Sequence, residues 1–173
     1  MLLIEKVLFN GECGAGLGAL QAAKACSVAT GGTTMLGFAT EIGRRSRLLQ
    51  TFGLRETETI NLEHINRCNI RDSDMVFVMA VQEDEQNQSI FDNCQRYDRP
   101  LFIINPLGEQ QRENYEQYLD IVSDKMTEWL KQNKRNRKQI VLSVLGSKET
   151  QSPGIEENSE RLITHFLHRV NVS

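Results

Sequence analysis

The residues of this chain best suited to chemistry fall in three polar, glycine-bearing segments. The first, Gly11-Glu12-Cys13-Gly14-Ala15-Gly16, follows an apolar run and opens an Ala-rich stretch. Glycine lets a backbone approach a phosphate, and the start of a helix offers free N–H groups and partial positive charge. Gly14, Gly16 and Ala19 satisfy G-x-G-x-x-A. No acid stands about 20 positions on, at the end of a second strand, to hold a ribose. The same glycines suit a tight turn under a closely packed helix, so packing and anion binding both remain open. The second segment runs from Gly31 to Gly43, with Gly37 inside it. Its threonines suit a phosphate, and Glu41 suits a hydroxyl or a base edge; a mobile surface loop is the alternative. In the third, Gly146-Ser147-Lys148-Glu149-Thr150, a cation stands between hydroxyls before a helix. That suits a phosphate, or equally a solvated loop with a helix cap.

Other candidates are weaker. Asp72 and Ser73, in Asp72-Ser73-Asp74, precede a strongly apolar run; such residues hold ligand hydroxyls or ring N–H groups, and more often accept backbone N–H groups as caps. A metal site would need more carboxylates than this segment brings. Cys13 sits where a helix dipole favours a thiolate, but His64, His165 and His168 are all remote in sequence. His165 and His168 lie three apart without an evident third ligand. No catalytic residue and no metal site is assigned.

These segments need elements to position them. Leu2 to Phe9 reads as a strand stopped by the turn signal Asn10-Gly11, and Ala15 to Cys26 as a helix. Ser27 to Ala29 suits a short second strand and residues 30 to 43 a loop. The basic run RRSRLLQTFGL is ambiguous. Leu54 to Thr57 suits a short strand and Asn61 to Asn69 a helix. Met75 to Val81, apolar throughout, predicts a strand buried on both faces. A surface helix over Glu83 to Tyr97, a strand over Leu101 to Ile104 and a long helix over 109 to 135 follow. Gln139 to Leu145 is another strong strand, and a last helix starts near Pro153 and runs to about Val170. Strands alternating with helices predict βαβ units. The expected fold is a single α/β domain over residues 1–173, Rossmann-like and doubly wound, with a mainly parallel sheet flanked by helices on both faces. Ligands of such sheets bind beyond the carboxyl ends of the strands, where all three glycine-bearing segments fall.

Composition narrows the function classes. The chain has 173 residues, 39% hydrophobic and 25% charged, which suits one globular domain. A net charge of −3 gives no bulk attraction to nucleic acid or to a membrane surface. The run KQNKRNRK lacks interleaved aromatics and reads as a solvated helix end. No apolar run reaches the roughly 18 residues of a membrane helix. Four cysteines without a C-x-x-C pair or a secretory signal point to free thiols and the cytoplasm.

Together the loops resemble those of the molybdenum carrier proteins, a circularly permuted branch of the SLOG group of Rossmann-like domains that also includes LOG-type phosphoribohydrolases. Where that family reads SGGQTGVDRAALDAA, this chain reads FNGECGAGLGALQAA, keeping Gly11, Gly14, Ala19, Leu20, Ala22 and Ala23. GGWCPKGRRAEDG corresponds to GGTTMLGFATEIG, with Gly31, Gly32, Gly37, Glu41 and Gly43 kept. L-x-E-T is Leu54-Arg55-Glu56-Thr57, and NVRDSDATLI is NIRDSDMVFV. NVAGPRESKAPGI corresponds to SVLGSKETQSPGI, with Gly146, Glu149, Pro153, Gly154 and Ile155 kept. There are departures. Glu12-Cys13 replaces Gln-Thr, and the following Asp-Arg pair is replaced at Leu17 and its glycine neighbour. Met35 to Phe38 replaces a basic, proline-containing centre. Glu85-Gln86-Asn87 stands near the place of a Gly-Gly-Thr turn, and Lys148 replaces an Arg.

The resemblance implies a Rossmann-like fold, a homo-oligomer, and binding of the molybdenum cofactor or a nucleotide-like ligand. Its metal sits on the cofactor's own dithiolene sulfurs, so no metal ligands are required of the protein. The leading reading is a non-catalytic binding protein for a small phosphorylated ligand. Gly11, Gly14 and Gly16 would give backbone approach, Lys148 and Thr150 would hold phosphate, and Glu41 or Asp72 would hold hydroxyls or ring N–H groups. Glu12, Cys13, Gly37, Ser73, Gly146 and Ser147 complete the candidate site. One alternative is hydrolysis of an N-glycosidic bond, with Glu12 or Glu41 serving in place of the missing LOG-type P-G-G-x-G-T-x-x-E signature. Another is a scaffold that binds a protein partner and no small ligand.

Overall fold

The apolar segments form the middle of a six-stranded parallel sheet. The computed structural model describes residues 3–81, 85–108 and 114–172. Its elements in chain order are β1 (Leu3–Leu8), α1 (Ala15–Ala25), β2 (Ala29–Thr34), a 3-10 turn (Leu36–Phe38), β3 (Ala39–Thr40), β4 (Gly43–Arg44), α2 (Ser46–Thr51) and β5 (Leu54–Glu56). Then follow α3 (Leu62–Arg71), β6 (Met75–Met79), α4 (Glu85–Arg96), β7 (Leu101–Ile104), α5 (Tyr115–Asn133), β8 (Gln139–Gly146) and α6 (Ile155–Val172). The sheet order is β5-β2-β1-β8-β6-β7; β3 and β4 form a separate antiparallel hairpin.

The last strand in sequence is therefore central. β8 pairs in parallel with β1 (Val7 beside Leu142) and with β6 (Phe77 beside Val144). All five residues of β6 are buried, as a strand covered on both faces requires. Right-handed crossovers put α1, α5 and α6 on one face and α3 and α4 on the other, and α1 packs on α6, α5 on α6 and α3 on α4. Phe77 of β6 meets Phe102, Trp129 and Phe166 with ring centroids 6.1, 5.9 and 5.2 Å apart, joining β7, α5 and α6 in one aromatic cluster. The α6 stripe Leu162, Ile163, Phe166, Leu167 and Val170 is buried. Each such side chain stabilises the fold by roughly 1.5–3 kcal/mol.

Several boundaries differ from those expected. The second strand is Ala29–Thr34, not Ser27–Ala29, so most of it lies in the expected loop. Its sequence ATGGTT has weak strand preference, but β1 on one side and β5 on the other supply its pairing. A Cβ at Gly32 would stand 2.0 Å from the Phe9 carbonyl oxygen, so the glycine reflects close packing within the sheet. The rest of that segment is the 3-10 turn and the hairpin, and the ambiguous basic run forms α2. The expected strand start at Leu2, helix start at Glu83 and helix residues 109–113 lie outside the described residues.

Candidate functional site

Loops after β1 and β8, with the excursion after β2, meet at the carboxyl ends of the strands. They lie beside the point where β8 and β6 are followed by helices on opposite faces, the usual place for a ligand crevice in such sheets. The β1 loop is fixed from below by Asn10, which is 2% exposed. Asn10 donates through Nδ2 to Asn66 Oδ1 at 2.7 Å and accepts the Glu12 backbone N–H at 3.0 Å. This turn sends Glu12 inward, where it is only 4% exposed.

Glu12 is the electrostatic centre of the cluster. Burial pushes its carboxyl pKa up, opposed by the Lys148 ammonium and by a hydrogen bond from the Glu41 backbone N–H. Lys148 Nζ lies 3.8 Å from Glu12 Oε2, too far for a hydrogen bond, and Oε2 has no hydrogen-bond partner. Glu41 accepts from Thr150 Oγ1 at 2.5 Å through Oε2, while its Oε1 is buried and unpartnered. Thr34 Oγ1, beneath Gly11, is a third buried polar atom without a partner. Arg45, just ahead of α2, donates to Cys13 Sγ at 3.3 Å.

The head of α1 is filled from within the protein. Glu156 Oε2 accepts the Gly14 N–H at 3.2 Å, and the Ser147 carbonyl accepts the Ala15 N–H at 3.2 Å. Gly14 and Lys148 form an isolated antiparallel bridge. A Cβ at Gly14, whose φ is +118°, would stand 2.5 Å from the Ser147 carbonyl oxygen; one at Gly16 would stand 1.8 Å from the Phe9 ring. Both glycines thus serve close packing. Burial also pushes the Glu156 carboxyl pKa up, against the Gly14 N–H. Glu149 turns the other way and caps the start of α6, accepting from the Gly154 and Glu156 N–H groups at 2.6 and 2.9 Å.

The structure brings together Gly11, Glu12, Cys13, Gly14, Gly16, Glu41, Gly146, Ser147, Lys148 and Thr150. Gly37 stands apart in the 3-10 turn, donating its N–H to Glu56 Oε2 at 2.6 Å. Asp72 and Ser73 lie at the other end of the sheet, just before β6 begins. Asp72 pairs with Arg71 at 2.8 Å, and Ser73 donates to the Ile70 carbonyl at 2.9 Å. Asn10, Arg45 and Glu156 lie in the same cluster and were not singled out by sequence reasoning, while Glu149 was named in the third segment without a role of its own. Asn10 carried a signal only as half of a turn dipeptide. Among the described residues no group of three or more His, Cys, Asp or Glu side chains is arranged to hold a metal ion, and no helix is long and apolar enough to cross a membrane.

Comparison with known proteins agrees with this architecture. No curated protein matches the chain. A crystal structure of the "Putative molybdenum carrier protein" from Syntrophus aciditrophicus SB is similar over 96% of each chain, with a TM-score of 0.80 and 21% identity, which establishes the shared fold. The model of the Circularly permutated YpsA SLOG family matches residues 7–167, and it is to this family that the chain belongs.

Proposed function

We propose that this protein binds a small phosphorylated ligand, the molybdenum cofactor or a nucleotide, at the carboxyl ends of β1, β2 and β8, as a carrier and not as a catalyst. The observation that carries this reading is the convergence of polar groups from three loops, seen in the Thr150–Glu41 hydrogen bond and the Lys148–Glu12 approach at 3.8 Å. The name of the Syntrophus structure supports a molybdenum-related ligand. Lys148 is the cation able to leave Glu12 for a phosphate, since its side chain is 26% exposed beside a Glu12 that is 5% exposed. The reading includes the cytoplasm, on the cysteines read as free thiols, a homo-oligomer, on the family resemblance, and no nucleic-acid partner, on the net charge of −3.

Thermal shift against AMP, ADP, NAD, ADP-ribose, GTP, molybdate and the intact molybdenum cofactor tests it. A ligand at about 100 times its dissociation constant adds roughly 2.7 kcal/mol, a shift of several degrees for a domain of this size. Lys148→Ala should weaken binding by about 1.5–3 kcal/mol. No shift with any of these ligands would overturn the reading in favour of a partner-binding scaffold.

One observation favours a second reading, hydrolysis of an N-glycosidic bond. A buried carboxyl with a raised pKa, beside a second carboxyl, suits general acid work on a leaving base. Release of free base from nucleoside monophosphates, abolished in Glu12→Gln, would establish it.

A further inference from the structure

The glycine loop suits either turn packing or an oxyanion, and the backbone N–H groups of Gly14 and Ala15 are already bound by the Glu156 carboxylate and the Ser147 carbonyl. What the cluster leaves unsatisfied is of the opposite kind. Glu12 Oε2 and Glu41 Oε1 are buried acceptors without donors, and the Thr34 hydroxyl beneath Gly11 is also unpartnered. Glu12 belongs to a residue 4% exposed and Thr34 to one fully buried. A buried polar atom without a partner is costly, and two such acceptors on carboxylates that act on each other call for donors from outside the chain.

Resting on the binding role proposed above, we infer that Glu12 and Glu41 form a donor-recognition site that takes two adjacent O–H or N–H groups of the ligand, while the anion position at the head of α1 stays closed by Glu156. The phosphate then lies on the Lys148 side. The 3.8 Å between Lys148 Nζ and Glu12 Oε2 favours donors close to the phosphate, as the vicinal hydroxyls of a ribose phosphate are. The amino edge of a purine or pterin offers the same donors from farther away, within the swing of the lysine stem. The loops thus read the hydroxyl or amino end of the ligand, and the Glu12-Cys13 departure from the family's Gln-Thr becomes a change of specificity.

Titration calorimetry at neutral pH separates the possibilities. The probes are AMP and GMP, their 2′-deoxy forms, which lack the vicinal diol, and IMP, which lacks the exocyclic amine of both. Each is measured on the wild type and on Glu12→Gln, Glu41→Gln and Lys148→Ala, with circular dichroism confirming that each variant is folded. The expected result is about a tenfold to hundredfold loss when the recognised donor is removed, at C2′ for a diol or at the base for an amine. That discrimination should shrink in Glu41→Gln and Glu12→Gln, while Lys148→Ala weakens every probe alike. Binding that depends on Lys148 but ignores both donors would overturn this inference and leave the phosphorylated-ligand reading standing. Absence of binding by every probe would overturn this inference and leave the binding role to the other ligands of the thermal-shift panel.

Discussion

Glu12 is a carboxyl that the fold buries and only half answers. Its pKa is raised by burial, and a proton on the group therefore favours the folded state. The stability it contributes is fully present below its ordinary value of 4.5 and is lost as pH rises through the raised folded-state value. Glu12→Gln, which cannot ionise, should match the wild type in urea midpoint near pH 4 and exceed it near pH 8. An equal difference at both pH values would mean that Lys148 compensates the buried charge completely. The residues of this cluster were visible in the sequence as types: Glu41, Lys148 and Thr150 each stood in a segment suited to a ligand. Their pairing was not visible, because Thr150 and Glu41 meet across 109 positions. Nor could the sequence show that Glu156 would occupy the first turn of α1, since Gly14 and Glu156 are 142 positions apart. The two readings of the glycines, turn packing and anion approach, differ only in what stands opposite the backbone.

At the scale of elements, strong apolar runs became strands where expected, as Met75–Met79 shows. The weak ones did not declare themselves. β2 carries two glycines and three threonines and owes its extended form to neighbours on both sides. The β8–α6 connection shows how an element start is secured by a residue outside it. Glu149 precedes α6 and accepts two backbone N–H groups at the start of the helix, so its carboxylate both caps and complements the helix dipole. Glu149→Ala should lower stability by about 0.5–2 kcal/mol, read as a shift in urea midpoint at unchanged slope. Glu157→Ala, on the exposed face of the same turn, should stay within about 0.5 kcal/mol of the wild type. Equal effects of the two substitutions would mean that general charge, not the cap, governs this end of α6.

For the whole molecule, the decisive feature is that the central strand comes last. The alternation of strands and helices revealed the fold class, but strand order depends on which strands pair, and no local pattern encodes that. β8 must enter between β1 and β6 after every other strand of the sheet has been made. The chain also nearly closes on itself: the Ile4 N–H donates to Asn171 Oδ1 at 3.1 Å, joining the start of β1 to the end of α6. A permuted chain should therefore keep the fold if its ends are joined through about six Gly/Ser residues and it is opened between Arg135 and Asn136, both exposed in the turn before β8. In that order β8 and α6 directly precede β1 and α1, their partners in the sheet and in the helix layer. The β1–β8 and α1–α6 pairings become much shorter in sequence, outweighing the lengthened β6–β8 and α5–α6 pairings, so refolding from urea should be faster while the unfolding midpoint changes little. Opening the chain instead between Cys13 and Gly14 would cut the segment that bridges Lys148 and binds Glu156, and should cost far more stability. If the first permutant refolds no faster than the parent, insertion of β8 is not the slow step, and the late position of the central strand does not limit folding.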